Sequence, residues 1–407
     1  MRLRGKTQLF NASADDHYHT RLIHTLEVTA IALELSNKKV FGKIDRNKVL
    51  NIALLHDIGH TPYGHAGERA LHSVLAGKSN PGFLLPNLIK LDIPMGFKHN
   101  INSAFLYKTK FCSFSDVDPE IFDGILKHTS TSYENETKLD YGFETAKNGV
   151  FSSRFIAKQK HLVDFDQDYF HKKEPLTKEG LIVEYADEIA QICSDYLDLV
   201  NSGLLQSEDF CSLSLFKDIP LFEPRHVSNL IKNKMLRSVG GSSANSFDAF
   251  SPFSACNAYI EEFSQFRKSA LKSLPSLSKF DRSKGRVCQV LFAFYYCNPR
   301  KMGKDVLKDL CNNLKMPTLS TSLFRQVQHL DGDSVLPFLQ KNFLSMRARR
   351  CLSSNCLKKS QLILLKVYLR TIATYISTMT DSYADHRYKR VPWVFKSYVR
   401  LTLAFQK

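Results

Sequence analysis

Apolar residues recur at intervals of three and four, not two, through the most regular stretches of this chain, and that spacing confines it to helices. Leu22, Leu26, Ala30 and Leu33 mark one stretch within residues 20–36, with Thr20 or an upstream Asp as its N-cap. A second runs from about Asp45, another capping residue type, through Val49, Ile52, Ala53 and Leu55, and ends near Gly59. There the loop HTPYGH begins, with Pro62 and Gly64 breaking the pattern. A third, around Glu179 to Val200, gathers Ile182, Ala186, Ile189, Ala190, Cys193, Leu197 and Val200 on one broad face. Helical spacing returns from residue 256 onward, most clearly over Gln361 to Met379. Convincing strands are few and no internal repeat is present, so the expected fold is all-α.

A chain of 407 residues exceeds one compact domain of common size, which implies a large helical body or a catalytic domain with an appendage. The Ser-, Gly- and Asn-rich stretch RSVGGSSANSFDAFSPFSACN (235 to 255) reads as a flexible connection. Residues 130 to 178 lack helical pattern and read as a long loop or small irregular insert. No apolar run approaches the roughly 20 residues of a membrane span. The opening MRLRGKTQLF is basic without a secretory apolar stretch, so the expectation is a cytoplasmic chain with no membrane partner.

Nine scattered cysteines, never spaced as CxxC, argue against a disulfide framework and a zinc knuckle. Net charge is +16, and most of it lies late in the chain. Beyond residue 340, fourteen basic residues stand against Asp381 and Asp385 alone. Interleaved with Tyr388, Trp393, Phe395 and Tyr398, they suit single-stranded nucleic acid; solvated helix faces and subunit contacts account for them equally well.

The stretch LLHDIGHTPYGHAGE (54 to 68) carries the chemistry. Adjacent His56 and Asp57 lie about 100° apart on a helix, close enough to share a metal ion. A further His and Asp would complete a two-nitrogen, two-oxygen set that suits Mn, Fe(II), Co, Ni or Zn better than Mg. An isolated His-Asp pair is common by chance. Here His24, His56, His60, His65 and His99 fall within 76 residues, beside expected helix ends and turns.

These residues sit in motifs that resemble the HD-superfamily deoxynucleoside triphosphate triphosphohydrolases, the dGTPase-like enzymes. The resemblance runs in family order through RLRGKTQLF (2 to 10), DHYHTRLIHTLEV (16 to 28), HDIGHTPYGHAGE (56 to 68), GFKHNINS (96 to 103), ILKH (125 to 128), ADEIA (186 to 190) and MTDSYA (379 to 384). It implies an HD-domain helical bundle with a helical C-terminal extension. The expected division is a catalytic core over 1–215, a flexible connection over 216–255, and a basic helical region over 256–407 that contributes MTDSYA to the site. It also implies one divalent metal ion, with Mn favoured, on His24, His56, Asp57 and Asp187. His65 and Glu68 match the catalytic histidine and its acidic partner. Arg21, His60 and His99 match groups that approach the triphosphate, and Tyr383 falls in a motif near substrate. The implied reaction is attack of an activated water on the α-phosphorus, which releases triphosphate and a deoxynucleoside. His65 would protonate the departing 5′-oxygen, with a nucleophilic role as the alternative. A homo-oligomer, a hexamer or another even-numbered assembly, goes with the family.

The chain departs from the family around the sugar. Asp187, Gln191 and Asp195 recur every fourth residue; the resemblance gives Asp195 the 3′-hydroxyl but sets Gln191 where a Tyr usually packs on the sugar. Arg4 replaces a usual Gln, His19 a frequent Arg, Lys98 a common Glu and Ser194 a common His. Losing the Tyr removes a wall against a 2′-hydroxyl, so altered substrate choice or dependence on an activating partner is expected. Another HD phosphohydrolase activity (nucleotidase or nuclease) and a nucleotide-gated nucleic-acid-binding protein are the alternative readings.

Overall fold

A computed structural model describes residues 2–6, 20–86, 88, 95–111, 117–129, 175–240, 251–272, 275–314, 327–345 and 359–404. The described residues are helical with no strand, as the three-and-four spacing requires. The expected loop over 130 to 178 lies outside them, except for its last four residues, and so does His19.

The chain forms two compact units, each assembled from separated stretches. The first comprises Met1–Ile58, Ser103–Thr131 and Lys172–Phe280. Its spine is α1 (Arg21–Ser36), α2 (Arg46–Leu55), the later part of α4 (His99–Leu106), α5 (Pro119–Lys127), α6 (Lys178–Asn201), α7 (Pro224–Ser238) and α8 (Ser254–Lys272). Thr20 caps α1 by accepting the Ile23 amide, Asp45 caps α2, and Thr177 caps α6. Val28, Ala32 and Leu35 of α1 close on Val49, Ile52 and Ala53 of α2 and on Ile182, Ala186 and Ile189 of α6, all within 4% of full burial. Each buried Val, Leu or Ile side chain among them contributes about 1.5–3 kcal/mol, and each Ala less. Gly124 lets α5 come down on α2: a Cβ there would stand 2.6 Å from Ile52 Cδ1.

Two expectations need correction. The helix carrying His56 stops at Leu55 rather than near Gly59, so the His-Asp pair lies in the turn that leaves the helix. Gly64 does not simply break a helix; with Tyr63 in the left-handed region (φ 61°) it starts the 12-residue helix α3 (Gly64–Leu75). Within the expected connection, residues 224–238 form α7, and 241–250 lie outside the described residues.

The second unit comprises Gly59–Asn102, Ser132–His171 and Asp281–Lys407. It contains α3, the start of α4, most of α9 (Pro275–Cys297), α10 (Lys304–Leu314), α11 (Val335–Leu339), α12 (Lys359–Ser377), α13 (Asp381–Lys389) and α14 (Trp393–Ala404). Its core joins Leu71, Val74 and Leu75 of α3 to Leu291 and Phe292 of α9 and to Leu365, Leu369 and Ile376 of α12. The described cysteines are free thiols, most of them buried. No single described helix is long and apolar enough to cross a membrane.

Candidate functional site

The first unit brings His24, His56, Asp57 and Asp187 together. His24 lies one turn into α1, on the same side as Arg21. His56 caps the end of α2: its Nδ1–H donates to the Ala53 carbonyl at 2.7 Å. That bond assigns the tautomer and turns Nε2 toward the two carboxylates. Nε2 stands 3.8 Å from Asp57 Oδ2 and 3.7 Å from Asp187 Oδ1, is fully buried, and makes no hydrogen bond. His24 Nε2 lies 2.8 Å from Asp187 Oδ1. Donor atoms of His24, His56 and Asp57 all lie within 4.8 Å of one another. A buried ring nitrogen with no partner is costly unless a ligand takes it, and the donor set is the one that suits a divalent transition ion. These residues fit the ion that the sequence implies.

Charge in this pocket is tightly matched. Arg21 Nη1 donates to Asp57 Oδ2 at 2.6 Å. Burial pushes the Asp187 carboxyl up, but the His24 hydrogen bond and the positive character of His56, His24 and His128 hold it down at about 2. Burial likewise pushes His24 down, and its bond to Asp187 with the charges of Asp187 and Asp57 raises it overall.

His128 is a residue that sequence reasoning passed over, although ILKH was noted. It repeats the geometry of His56: at the end of α5, its Nδ1–H donates to the Ile125 carbonyl three residues back, at 2.7 Å. Its ring meets the His56 ring edge-on at 5.0 Å, and Nε2 lies 4.0 Å from Asp57 Oδ1. The available signal was a second histidine directly after an amphipathic helix, here Pro119–Lys127, as His56 follows Leu55.

Farther along α6, Gln191 and Asp195 follow Asp187 at helical spacing, and Arg267 of α8 reaches both. Its Nε pairs with Asp195 Oδ2 at 3.1 Å. With its amide oxygen turned toward the guanidinium, Gln191 accepts from Nη1 at 2.7 Å and Nη2 at 3.2 Å. Burial pushes the Asp195 carboxyl up to about 6, against the pull of Arg267. No sequence signal singled out Arg267. Arg4 is exposed on the 3-10 turn Arg2–Gly5.

The second unit holds His60, His65 and His99. Tyr63 supplies no side-chain cap to α3. Instead its buried N–H donates to Asp381 Oδ1 at 2.8 Å, and its hydroxyl donates to Asp385 at 2.8 Å, a carboxylate also held by Lys284. Asn102 donates to Gly59 O and to Ser377 Oγ, each at 2.8 Å, which ties the HTPYGH turn to α12. Gly67 is required at the start of α3, where a Cβ would fall 2.2 Å from the Pro62 carbonyl oxygen.

On that frame His60 stacks on His99 at 3.9 Å, while His65 meets them edge-on at 5.5 and 6.0 Å. Glu68 is buried and accepts from both the backbone N–H and Nδ1 of His99, at 2.9 and 2.5 Å. His65 Nδ1 stands 3.8 Å from its other oxygen, so the carboxylate expected to serve His65 binds His99 more closely. Burial acts to raise Glu68, yet the charges and hydrogen bonds of His99 and His65 hold it well below the usual carboxylate range. Tyr383 is 43% exposed on the first turn of α13, with Arg387 near its ring.

The same stretch of chain is similar to known proteins. Residues 21–192 match the HD domain, a span that runs from Arg21 through Gln191. The deoxyguanosinetriphosphate triphosphohydrolase-like protein of Clostridium tetani is 33% identical over 213 residues, 51% of this chain and 44% of that protein. Its Rickettsia canadensis namesake is 30% identical over 226 residues, 54% of this chain and 48% of that one. The Clostridium perfringens protein of the same name is 26% identical over 317 residues, 76% and 73% respectively. The chain thus spans about half the length of the first two relatives and nearly three quarters of the third. Residues 21–192 carry an HD domain, and the chain as a whole is similar to the deoxyguanosinetriphosphate triphosphohydrolase-like proteins.

Proposed function

We propose that this protein is a metal-dependent phosphohydrolase that cleaves deoxynucleoside triphosphates at the α-phosphorus, yielding triphosphate and a deoxynucleoside. The observation that carries the reading is the buried convergence of His24, His56, Asp57 and Asp187, with His56 Nε2 left for a ligand. A divalent ion held there, with Mn favoured, supplies a Lewis acid and lowers the pKa of an attacking water. Arg21 places positive charge at the same carboxylates and suits phosphate oxygens by its planar fork. His60 and His99 add imidazole donors for a polyanion. His65, nine residues beyond His56 in the chain and 45% exposed, protonates the leaving 5′-oxygen. Glu68, kept ionised, stabilises imidazolium character in its neighbours.

Sugar choice follows from α6. Gln191 and Asp195 are engaged by Arg267, so a sugar that uses Asp195 competes with the guanidinium, and position 191 itself offers no aromatic ring against a 2′-hydroxyl. We read the pocket as relaxed toward ribonucleotides. Assembly as an even-numbered homo-oligomer accompanies this reading on the family's pattern. A panel of dNTPs and NTPs with Mn or Mg, with products resolved by ion-exchange chromatography, tests it. Triphosphate release is expected. Monophosphate release from nucleotides or single-stranded DNA, with no triphosphate, would make the protein a nucleotidase or nuclease instead.

A further inference from the structure

We propose that His60, His65 and His99 form a second transition-metal site of the three-imidazole, zinc-preferring kind, whose occupancy switches turnover off. All three residues and Glu68 belong to the second compact unit. One ring nitrogen from each lies within 4.8 Å of those of the other two. Adjacent ligand nitrogens around a tetrahedral zinc ion, with bonds of about 2.0–2.1 Å, stand roughly 3.3 Å apart. No pair then needs to close by more than about 1.5 Å, a movement that opening the His60–His99 stack and rotating His65 accomplish. His65 is the exposed member and therefore the entry side. His99 is fixed at two points, since Glu68 takes its N–H and its Nδ1.

Glu68 is what makes the cluster a ligand set and not three adjacent rings. By accepting the Nδ1 proton of His99 it leaves Nε2 as the electron-pair donor, and an ionised carboxylate behind the ring raises the basicity of that nitrogen. Its second oxygen lies 3.8 Å from His65 Nδ1 and can do the same there. Three imidazoles without a direct carboxylate favour Zn, Cu and Ni over Mn and Mg. The centre on His24, His56, Asp57 and Asp187 has the opposite balance, two oxygens to two nitrogens. One chain therefore offers two sites that sort metals by softness. A fourth position on the second ion is left for water or a phosphate oxygen.

The inhibitory consequence rests on the proton-transfer role proposed above for His65. An ion that takes the His65 lone pair prevents the ring from carrying a proton to the leaving oxygen. Zinc beyond the first equivalent lowers manganese-supported turnover at least tenfold.

Binding is measured apart from turnover. Chelator-stripped full-length protein is equilibrated with Zn(II), and with Co(II) as a coloured probe, and bound metal is counted by mass spectrometry after dialysis. Wild type is expected to hold two equivalents. His65→Gln and Asp57→Asn are each expected to hold one, and the double variant none. Glu68→Gln weakens the second equivalent by about 10–100-fold. The second Co(II) ion gives the intense visible absorption of four-coordinate cobalt, and His65→Gln abolishes it. His65 is exposed on a helix surface, and a thermal melt of each sample confirms folding. One equivalent in wild type, or two retained in His65→Gln, overturns the proposal. A loss seen with His65→Gln but not with Asp57→Asn sinks the first metal centre and leaves this one standing. A second equivalent that binds without slowing turnover overturns the inhibitory part.

Discussion

Replacing Asp381 with Ala removes the acceptor of the Tyr63 N–H, which is buried and held at 2.8 Å. Tyr63 sits in a left-handed conformation with no cap of its own, so no local group replaces the lost carboxylate. Leaving a buried N–H unsatisfied costs about 1–3 kcal/mol, and deletion of a helix N-cap falls in the same range, about 0.5–2 kcal/mol. The two figures describe one bond and do not add. The Tyr63 hydroxyl keeps its 2.8 Å bond to Asp385, which limits the loss to about 2 kcal/mol. In a unit of roughly 200 residues that corresponds to a fall in Tm of about 4–8 °C. Asp381→Asn retains a side-chain oxygen in the same place and should recover at least half of it. His65 follows Tyr63 by two residues, so kcat should fall with Ala and return with Asn. Thermal melts followed by circular dichroism, with turnover on the same preparations, test the chain of reasoning. It is refuted if Asp381→Ala melts within about 1 °C of wild type, or if Asn is no better than Ala.

Other perturbations have equally definite outcomes. His56→Ala and Asp187→Asn should each abolish tight binding at the first metal centre, measured by metal content. His128→Ala, which removes only a neighbour of Asp57 and His56, should weaken that metal by about 10–100-fold, and an unchanged Kd would reduce His128 to a packing residue. Glu68 has a folded pKa below its ordinary value, so its stabilisation is present above about pH 4.5 and disappears as pH falls toward the folded value. The Tm gap between wild type and Glu68→Gln should therefore be widest near pH 7 and shrink below about pH 4.5; a constant gap would count against the His99 and His65 pairing. Gln191→Tyr should raise dNTP over NTP preference about tenfold or more, read from kcat/KM ratios.

Much of the candidate metal centre was legible in the sequence: the His56-Asp57 pair stood out by its chemistry at a helix end, and the resemblance to HD-type motifs added His24 and Asp187. Thr20 and Asp45 announced the starts of α1 and α2, and the four-residue spacing of Asp187, Gln191 and Asp195 placed them on one side of α6. The end of α2 was less legible. His56 is still in helical conformation, and what stops the helix is a side-chain bond from His56 to Ala53, which a spacing rule does not see. Helix α3 was read as a loop with a short turn because its start depends on Asp381, a carboxylate remote in sequence. Arg267 could not be found in advance for the same reason: its partners are side chains on another helix. His128 had the motif but no assigned role until its ring was seen against His56. Long-range pairing of polar groups, rather than hydrophobic patterning, is where reading the chain alone stopped.

The bond from Tyr63 to Asp381 spans 318 residues, and that separation has a consequence for biosynthesis. At about 5–20 residues per second, a ribosome needs roughly 15–60 s after finishing Tyr63 before Asp381 is even made. Throughout that interval the first turn of α3 lacks its carboxylate, and His60 and His65 flank a backbone amide with nothing to hold it. A release of the nascent chain before residue 381 would leave the first metal centre with all its ligands and the proton-transfer histidine without its anchor. Such a fragment would be a metal binder with little power to turn over substrate.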